Sequence, residues 1–433
     1  MEILTIIVAI LTCLGIVVTS IVKPSIQIKK FTLNFYWVIS LIGALILLFS
    51  TAISWPDLWN GLTANTSINP IKILILFLSM TMISIFLDEL GFFAYIANVV
   101  LKHTKDSQFK IFIAFYLLVS ILTMFTSNDI IILTFTPFLI VFCKNAKISP
   151  IPYLVSEFCA ANTWSMMFVI GNPTNIYLAE SYNIEFITYF LRMAIPTLIA
   201  GLVEFGILLA LFAHILRKPI EHEIEELPKL DSFLTCYGLT ILLACTIMLV
   251  ISSYVSIPMY LIAVISLGTL SLGVLTYCLI KKRKPKELLN TYKRAPYELV
   301  PFIFSMFTIV LALNSYGVTE KIADFLGNKM NEITYGYSSL LVANFLNNIP
   351  MSVLYSSVTS HLPSETLSGG LYASIIGSNI GAFITPVGAL AGIMWMGILK
   401  KHEVKYRFID FIKYGLVIGI PVASAAIFSL YIF

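Results

Sequence analysis

The chain has 433 residues, 58% of them hydrophobic and only 12% charged, and its mean hydropathy is +0.92. A composition this apolar excludes a soluble domain and predicts an all-α polytopic membrane protein. The net charge of +4 comes from short basic loops between apolar runs, so it bears on orientation in the membrane and gives no reason to expect nucleic acid as a partner.

The first three apolar runs predict the orientation of the chain. Residues 3–22 are followed by three lysines, which place that loop in the cytoplasm and the N-terminus outside: Lys23, Lys29 and Lys30. Residues 36–54 return outward, and residues 71–101 cross inward to a second basic loop. Within that third span, Asp88 and Glu89 lie beside Gly91, where we expect a bend and a structural role for the acidic pair.

A helical hairpin is predicted at residues 111–143, with Ser127-Asn128-Asp129 at its tip. The apolar segments on either side have 15 and 14 residues, which as helix would rise about 22 Å against a hydrocarbon core of about 30 Å. Lys110 precedes the pair and Lys147 follows it, so both ends are expected at the cytoplasmic side. The sequence therefore predicts a hairpin that enters from the cytoplasm and turns inside the membrane.

A broken span is predicted next, because residues 151–170 run into Gly171-Asn172-Pro173-Thr174-Asn175 before their apolar stretch ends. Proline removes a backbone donor and clashes with the preceding turn, so the helix should stop there. Broken backbone at membrane depth is tolerated only where it lines an enclosed cavity. A polar break beside a polar hairpin tip is typical of half of a transport site.

The second half repeats this order after an acidic linker at residues 219–232. Its hairpin, residues 333–360 with the tip Asn347-Asn348, is expected to enter from outside, and the span at residues 371–400 is expected to break at residues 377–381 and 385–388. We predict two inverted-topology repeats, residues 1–218 and 233–433, with ten crossings and two re-entrant hairpins. Such repeats are typical of secondary transporters, in which the hairpin tips and broken helices of both halves meet near the bilayer midplane and form one site. A final span, residues 408–433, would leave the C-terminus outside the cell membrane.

Five stretches together resemble the arsenite/antimonite efflux permeases of the ion transporter superfamily, which also holds the sodium-coupled dicarboxylate carriers. They are residues 82–93 (MISIFLDELGFF), 127–129 (SND), 189–196 (YFLRMAIP), 347–351 (NNIPM) and 377–388 (GSNIGAFITPVG). The resemblance runs in matching order along the whole chain. It implies the hairpin architecture, an elevator-like movement of a transport domain against a scaffold, and a homodimer.

Two departures from that family bear on the substrate. The arsenite permeases carry a carboxylate where Asn379 stands and a lysine near Phe383, and both charges are missing here. The break at residues 171–175 looks more like that of the dicarboxylate carriers and sodium/proton exchangers. The sequence therefore predicts transport of a small inorganic or organic anion or oxyacid, such as arsenite or antimonite exchanged for protons. The alternatives are a sodium-coupled carrier of a dicarboxylate or another inorganic anion, and a sodium/proton exchanger.

Asp129 is the sharpest candidate for coupling to H+ or Na+. A carboxylate at the membrane centre costs about 2.5 to 3.5 kcal/mol on insertion scales, so it needs a cation, a proton or strong donors. The alternative is an Asp that caps a helix. Neutral polar groups that would bind substrate or ion, or cap the broken helices, are Ser127, Asn128, Asn172, Thr174, Asn175, Asn347, Asn348, Ser378, Asn379 and Thr385. A sodium ion would use Asn128, Gly171 and Asn175.

Three further charged residues lie within or near the ends of the predicted spans. Glu157 and Glu204 should face the protein interior, either to relay protons or to pair with a neighbour, and Arg192 should snorkel at a span end.

Two other classes of function are disfavoured. The sequence shows no evident nucleophile with a base, and no metal motif, that an intramembrane hydrolase would need. An open channel suits paired hairpins less well than alternating access does. Without a GxxxxGK[ST] loop, ATP could act only through a separate ATPase subunit.

Overall fold

A computed structural model describes residues 1–22, 25–28, 31–63, 69–104, 107–218, 230–255 and 257–432. Most of the predicted acidic linker, residues 219–229, lies outside this range. The elements of the first half are α1 Glu2–Val22, β1 Ser25–Ile28, β2 Phe31–Asn34, α2 Phe35–Phe49, α3 Trp55–Thr63, α4 Pro70–Glu89, α5 Phe92–Thr104, α6 Gln108–Phe125, α7 Asn128–Asn145, α8 Ile151–Trp164, a 3-10 turn Val169–Gly171, α9 Pro173–Glu180 and α10 Phe186–Leu216.

The second half has no strand among its described residues. Its helices are α11 Ser232–Val250, α12 Ser252–Val255, α13 Met259–Ile280, α14 Lys286–Arg294, α15 Leu299–Ser315, α16 Val318–Leu326, α17 Asn331–Leu346, α18 Asn348–Thr359, α19 Ser364–Gly381, α20 Leu390–Lys401 and α21 Phe408–Ser429. Nine helical segments of the described chain are long and apolar enough to cross a membrane. Large exposed apolar side chains on α1, α10 and α13 are what lipid contact requires.

The outer helices of each half pack on the other half. In the first half α1 and α2 lie against α15, and in the second half α11 and α13 lie against α4. We call these six helices the scaffold, together with β2 and Glu298, which directly precede α2 and α15. The two hairpins and the broken helices, α6 to α9 and α17 to α20, pack on one another and form what we call the hairpin unit. Packing of the outer helices of each half on the other half is expected of two intertwined repeats. The opposite orientation of the two repeats in the membrane stays a prediction.

The predicted third span is two helices that meet at Gly91. The φ of Gly91 is +78°, a conformation that favours glycine. Beside it, Arg294 of α14 donates from Nη2 to Asp88 Oδ2 at 2.7 Å and from Nη1 to Glu89 Oε1 at 2.5 Å. The bend and the structural role of the acidic pair are confirmed. An equivalent break separates α15 from α16 at Gly317, whose φ is +68°.

The first hairpin forms, but its helices are longer than predicted. The ring of Phe115 on α6 lies 6.0 Å from the rings of both Phe138 and Phe142 on α7, so the helices run antiparallel from a common tip. Each has 18 residues, about 27 Å of helix. The prediction that these helices are too short to cross the membrane was therefore wrong. What supports a re-entrant hairpin is that Ser127 and Asn128 are buried inside the protein rather than exposed as a surface loop would be.

The second hairpin turns at Asn347. The rings of Tyr335 on α17 and Tyr355 on α18 lie 6.3 Å apart, which again pairs the two helices antiparallel. Asn347 itself has φ +76° and ψ 152°, a region in which residues other than glycine are strained. Such strain persists only where the surroundings hold it, and it is concentrated at functional sites.

The first predicted break is displaced, and of the two breaks predicted in the second broken span only the one at residues 385–388 forms. In the first, α8 ends at Trp164 rather than at residue 170, because the Ser165 carbonyl accepts a bond from Asn175 Nδ2 at 2.8 Å and the chain folds back. In the second, the glycines of residues 377–381 do not break α19. A Cβ on Gly377 would lie 2.0 Å from Ser339 Oγ, so this glycine allows α19 to pack closely on α17. The helix breaks only at residues 382–389.

Candidate functional site

The two halves meet where Asn379 of α19 contacts the first break. Asn379 Oδ1 accepts from Asn172 Nδ2 at 2.8 Å and from Ser165 Oγ at 3.1 Å. Its Nδ2 donates to Asn175 Oδ1 at 2.6 Å and to the Ile375 carbonyl at 2.8 Å. The prediction that these asparagines come together is confirmed. In this conformation their amides are engaged with one another, so a ligand would have to replace some of these bonds.

Two hydroxyls extend the same contact. Thr174 Oγ1 lies 2.9 Å from Ser378 Oγ, so α9 and α19 also share a hydroxyl pair. Asn172 caps α9, since its Oδ1 accepts from the Thr174 backbone N–H at 3.1 Å. Asn172 therefore serves as a cap and as a link between the halves at once. We call Asn172, Thr174, Asn175, Ser378 and Asn379 the amide cluster.

The first hairpin tip ends on the last turn of α8. Asn128 Nδ2 donates to Asn162 Oδ1 at 3.0 Å, which holds the tip against the first broken helix. Asn128 Oδ1 and Ser127 Oγ are buried and have no partner. A buried polar atom without a partner costs about 1 to 3 kcal/mol, so a fold that keeps two such atoms at one tip has a reason for them.

The second hairpin tip is bound to the second break. Asn347 Nδ2 donates to the Val387 carbonyl at 3.0 Å, and the Asn348 backbone N–H donates to the Gly388 carbonyl at 2.9 Å. Thr385 Oγ1, in the same break, is buried without a partner. The pairing of each tip with a break in its own half was predicted and is confirmed.

Asp129 points elsewhere. With Ser127 it lines a cavity of about 340 Å³ between the hairpin unit and the scaffold, and none of the amide cluster lines that cavity. The scaffold contributes several polar side chains to the opposite wall, namely Ser20, Asn34, Tyr36, Thr81 and Glu298. We call this space the interdomain cavity. The predicted single site is thus divided in two, with the amides on one side of the first tip and the carboxylate on the other.

The scaffold residues of the interdomain cavity were not predicted. Glu298 is the most notable, since its Oε2 accepts from Asn34 Nδ2 at 2.6 Å and from Tyr36 O–H at 3.1 Å. A carboxylate directly before the apolar run of α15 is the one signal that the sequence offered. Its partners come from β2 and α2, more than two hundred residues earlier, and only the packing of the halves brings them together.

The other buried charges have partners of their own. Glu157 accepts from Thr136 Oγ1 at 3.0 Å and from Trp395 Nε1 at 3.3 Å, which ties α8 to α7 and α20. Glu204 accepts from Thr163 O–H on the last turn of α8. Both face the protein interior as predicted. Arg192 donates from Nη2 to the Leu430 carbonyl at 3.3 Å, so it is bound to α21 rather than only snorkelling.

A sodium site at Asn128, Gly171 and Asn175 stays a prediction. Asn128 Oδ1 is free to coordinate a cation, whereas Asn175 Oδ1 already accepts from Asn379. Among the described residues no group of three or more His, Cys, Asp or Glu side chains could hold a metal ion.

The chain matches a known family of proteins. Residues 5–369 match the model of the family described as "Citrate transporter". The chain belongs to that family. Family members are membrane permeases rather than enzymes, and the match supports a multi-pass secondary transporter of anions. Similarity to proteins named as arsenical pump membrane proteins agrees with the resemblance found in the sequence.

Individual relatives cover nearly the whole chain. A membrane protein of Bacillus subtilis (strain 168) is 27% identical over an alignment of 409 positions, and the alignment covers 87% of this chain and 89% of that protein. The arsenical pump membrane protein of Escherichia coli is 23% identical over an alignment of 414 positions, which covers 91% of each chain. The crystal structure of the Alcanivorax borkumensis YdaH transporter, at 11% identity, superposes with a TM-score of 0.57 over 100% of this chain and 97% of that one. That structure supports the fold.

Proposed function

We propose that this chain is an ion-coupled secondary transporter that exports a small oxyacid of the arsenite or antimonite type by alternating access. The observation that carries the proposal is that the amide cluster is neutral, as are the tip residues Asn128 and Asn347 that contact the broken helices. In the described chain, the hydrogen-bond partners of these residues are amides, hydroxyls and backbone groups, without a Lys, Arg or His. Arsenous acid carries no charge near neutral pH and presents hydroxyls that both donate and accept.

Charge decides between this substrate and a carboxylate such as citrate. A multiply charged anion buried in a protein needs opposite charges or many strong donors, because desolvation of an unpaired charge is very costly. Here the N-termini of α7, α9 and α18 offer partial positive charge, which is less than a tricarboxylate requires. The unpartnered Asn128 Oδ1 and Thr385 Oγ1 are suited to the hydroxyls of a neutral oxyacid. The name of the Escherichia coli relative supports the same substrate class.

The division into a scaffold and a hairpin unit supports alternating access. The amide cluster lies within the hairpin unit, while the interdomain cavity separates that unit from the scaffold. A unit that carries its own binding site can move relative to a fixed scaffold without disassembling the site. We propose that Asp129, at the boundary between the two, is where the coupling ion acts, with H+ as the first choice and Na+ as the second.

A sodium-coupled carrier of a dicarboxylate or another inorganic anion is the second candidate. The family description and the break at residues 171–175 favour it, since a cation near Asn128 Oδ1 would supply the charge that a carboxylate needs. The two candidates differ in their driving ion as well as in their substrate. They can therefore be separated in one set of vesicles.

The test is transport by the purified protein in liposomes without ATP. Radiolabelled arsenite uptake should be saturable, should be driven by an imposed pH gradient, and should exchange with unlabelled arsenite or antimonite. Citrate and succinate should compete poorly. Uptake of labelled dicarboxylate that requires a Na+ gradient, together with no uptake of arsenite, would replace the first candidate by the second.

A further inference from the structure

One carboxylate lies on each side of the interdomain cavity. Asp129 lies on the hairpin unit and Glu298 on the scaffold, and both line the same volume of about 340 Å³. Glu298 is fixed in place by Asn34 and Tyr36, which both contact its Oε2. These two donors leave Oε1 of Glu298 for another partner. A space of this size has room for an ion with several water molecules.

The basic residues at the cavity mouth do not balance these carboxylates. Arg294 is bound by Asp88 and Glu89, so its charge is already more than compensated. Lys293 is exposed to the surroundings of the protein. Since no other Lys, Arg or His is among the described lining residues, the interior of the cavity keeps an excess of negative charge.

Two hydroxyls in the walls lack partners. Ser127 and Thr81 are each only 4% exposed, and neither Oγ of Ser127 nor Oγ1 of Thr81 has a hydrogen-bond partner. A threonine inside a helix ordinarily satisfies its hydroxyl on the carbonyl four residues earlier. Thr81 of α4 does not, and both Thr81 and Ser127 are among the residues that line the cavity, one on each wall.

We propose that the interdomain cavity is a binding site for a monovalent cation, coordinated from the hairpin unit by Asp129 and Ser127 and from the scaffold by Glu298 and Thr81. Carboxylate and hydroxyl oxygens are ligands for hard cations, and the excess negative charge attracts one. Na+ and a hydrated proton share this chemistry. The inference rests on the proposed function only in identifying this cation as the coupling ion.

The placement of the ligands would make the site sensitive to conformation. Because Asp129 and Glu298 belong to different units, movement of the hairpin unit would separate them and dismantle the site. A cation would then be held tightly only in the arrangement seen here. The charged and titratable groups that face Glu298 are Asp129, Tyr36, Arg294 and Lys293, with Asp88 and Glu89 behind Arg294.

The test is thermal unfolding of the purified full-length protein, since a ligand that binds only the native state raises its stability. One series replaces choline chloride by NaCl at constant ionic strength, and a second varies pH without Na+. A rise in the midpoint with Na+ identifies sodium, and a rise only on acidification identifies the proton. We expect Glu298→Gln, which keeps an oxygen for Asn34 and Tyr36, to lose most of the rise.

The variant Thr81→Val distinguishes a role of Thr81 as a cation ligand from a purely structural role. Replacing an unpartnered buried hydroxyl by a methyl group of similar shape should leave basal stability unchanged or higher, yet weaken the cation response by roughly fivefold or more. Glu320→Gln, an exposed carboxylate on α16, is the matched control and should respond as wild type. An unaltered response in both Glu298→Gln and Thr81→Val, or no response of the wild type to either cation, overturns the proposal.

The substrate is measured in the same assay so that two failures can be told apart. Arsenite should shift the midpoint of the wild type and of Thr81→Val alike. If arsenite has no effect while Glu298→Gln still abolishes the cation response, the cation site stands and the proposed substrate is wrong. If arsenite binds while the cation response is unchanged in both variants, the proposed substrate class stands and the cation site is wrong.

Discussion

Asn172 donates from Nδ2 to Asn379 Oδ1 at 2.8 Å, and this bond joins the broken helix of one half to that of the other. Both side chains are fully or almost fully buried. The contact explains how two segments that lie 207 positions apart in the chain form one polar centre. It also means that the centre is held together by the same amides that would bind a substrate.

The first prediction concerns this amide cluster. Asn379→Ala removes one amide and leaves Asn172 Nδ2 and Asn175 Oδ1 without their partners, so it should lower the free energy of unfolding by about 1 to 3 kcal/mol. Substrate affinity should fall by a similar free energy. Chemical denaturation and arsenite uptake in liposomes measure the two effects.

Asn98→Ala is the control for that variant, because Asn98 Nδ2 donates to the Ala94 carbonyl four residues earlier in its own helix α5. It should change stability less. Normal affinity and stability of Asn379→Ala would show that the cluster neither holds the halves together nor binds substrate.

The second prediction concerns the ion pairs at the Gly91 bend. Arg294 bridges Asp88 and Glu89 in a forked geometry, although its side chain is 41% exposed. Arg294→Lys keeps the charge but loses the fork, and surface pairs are worth about 0 to 1 kcal/mol. We expect a small loss of stability in Arg294→Lys and Arg294→Ala, but faster proteolysis or hydrogen exchange around residues 88–95. Lys321→Ala, which breaks an exposed pair with Glu2, should leave exchange at that bend unchanged.

Much of this fold could be predicted from the periodicity of apolar runs and the placement of lysines. The hairpin tips and the meeting of the two broken helices were predicted from polar residues within apolar segments. The break predicted at residues 377–381 does not form, because Gly377 allows close packing against Ser339 rather than a turn. Only the three-dimensional contact separates these two uses of glycine.

The separation of Asp129 from the amide cluster could not be predicted either. Ser127, Asn128 and Asp129 are consecutive, and sequence offers no measure of which side of the tip each side chain faces. The direction is set by the packing of α7 between α8 and α20 on one side and the scaffold on the other. Glu298 was missed for the same reason.

The third prediction is the membrane orientation of the hairpins. Single cysteines at Lys110 and Lys147 should both be labelled only from the cytoplasm, and one at Glu365 only from outside. Cys236 is exposed in the native protein, so the variants are made on a Cys236→Ser background. Labelling of positions 110 and 147 from opposite faces would show that α6 and α7 cross the membrane separately and would contradict the inverted repeat.

The fourth prediction is that Asp129 couples transport to the driving ion. Asp129→Asn keeps the shape of the side chain and removes its charge, much as protonation does. If the carboxylate alternates between a cation-bound and a free form, the variant is locked in one form and should lose transport driven by an ion gradient. Exchange of labelled for unlabelled substrate needs no net movement of the ion, so it should persist near the wild-type rate.

Two further measurements make that result specific. Asp324→Asn, an exposed carboxylate on α16, should keep both gradient-driven uptake and exchange. If Asp129 only capped α7, the amide would still accept the same bonds, and gradient-driven uptake would survive the substitution. Loss of exchange together with driven uptake would instead indicate that Asp129 helps to bind the substrate itself. The ratio of driven uptake to exchange therefore distinguishes the three roles of Asp129.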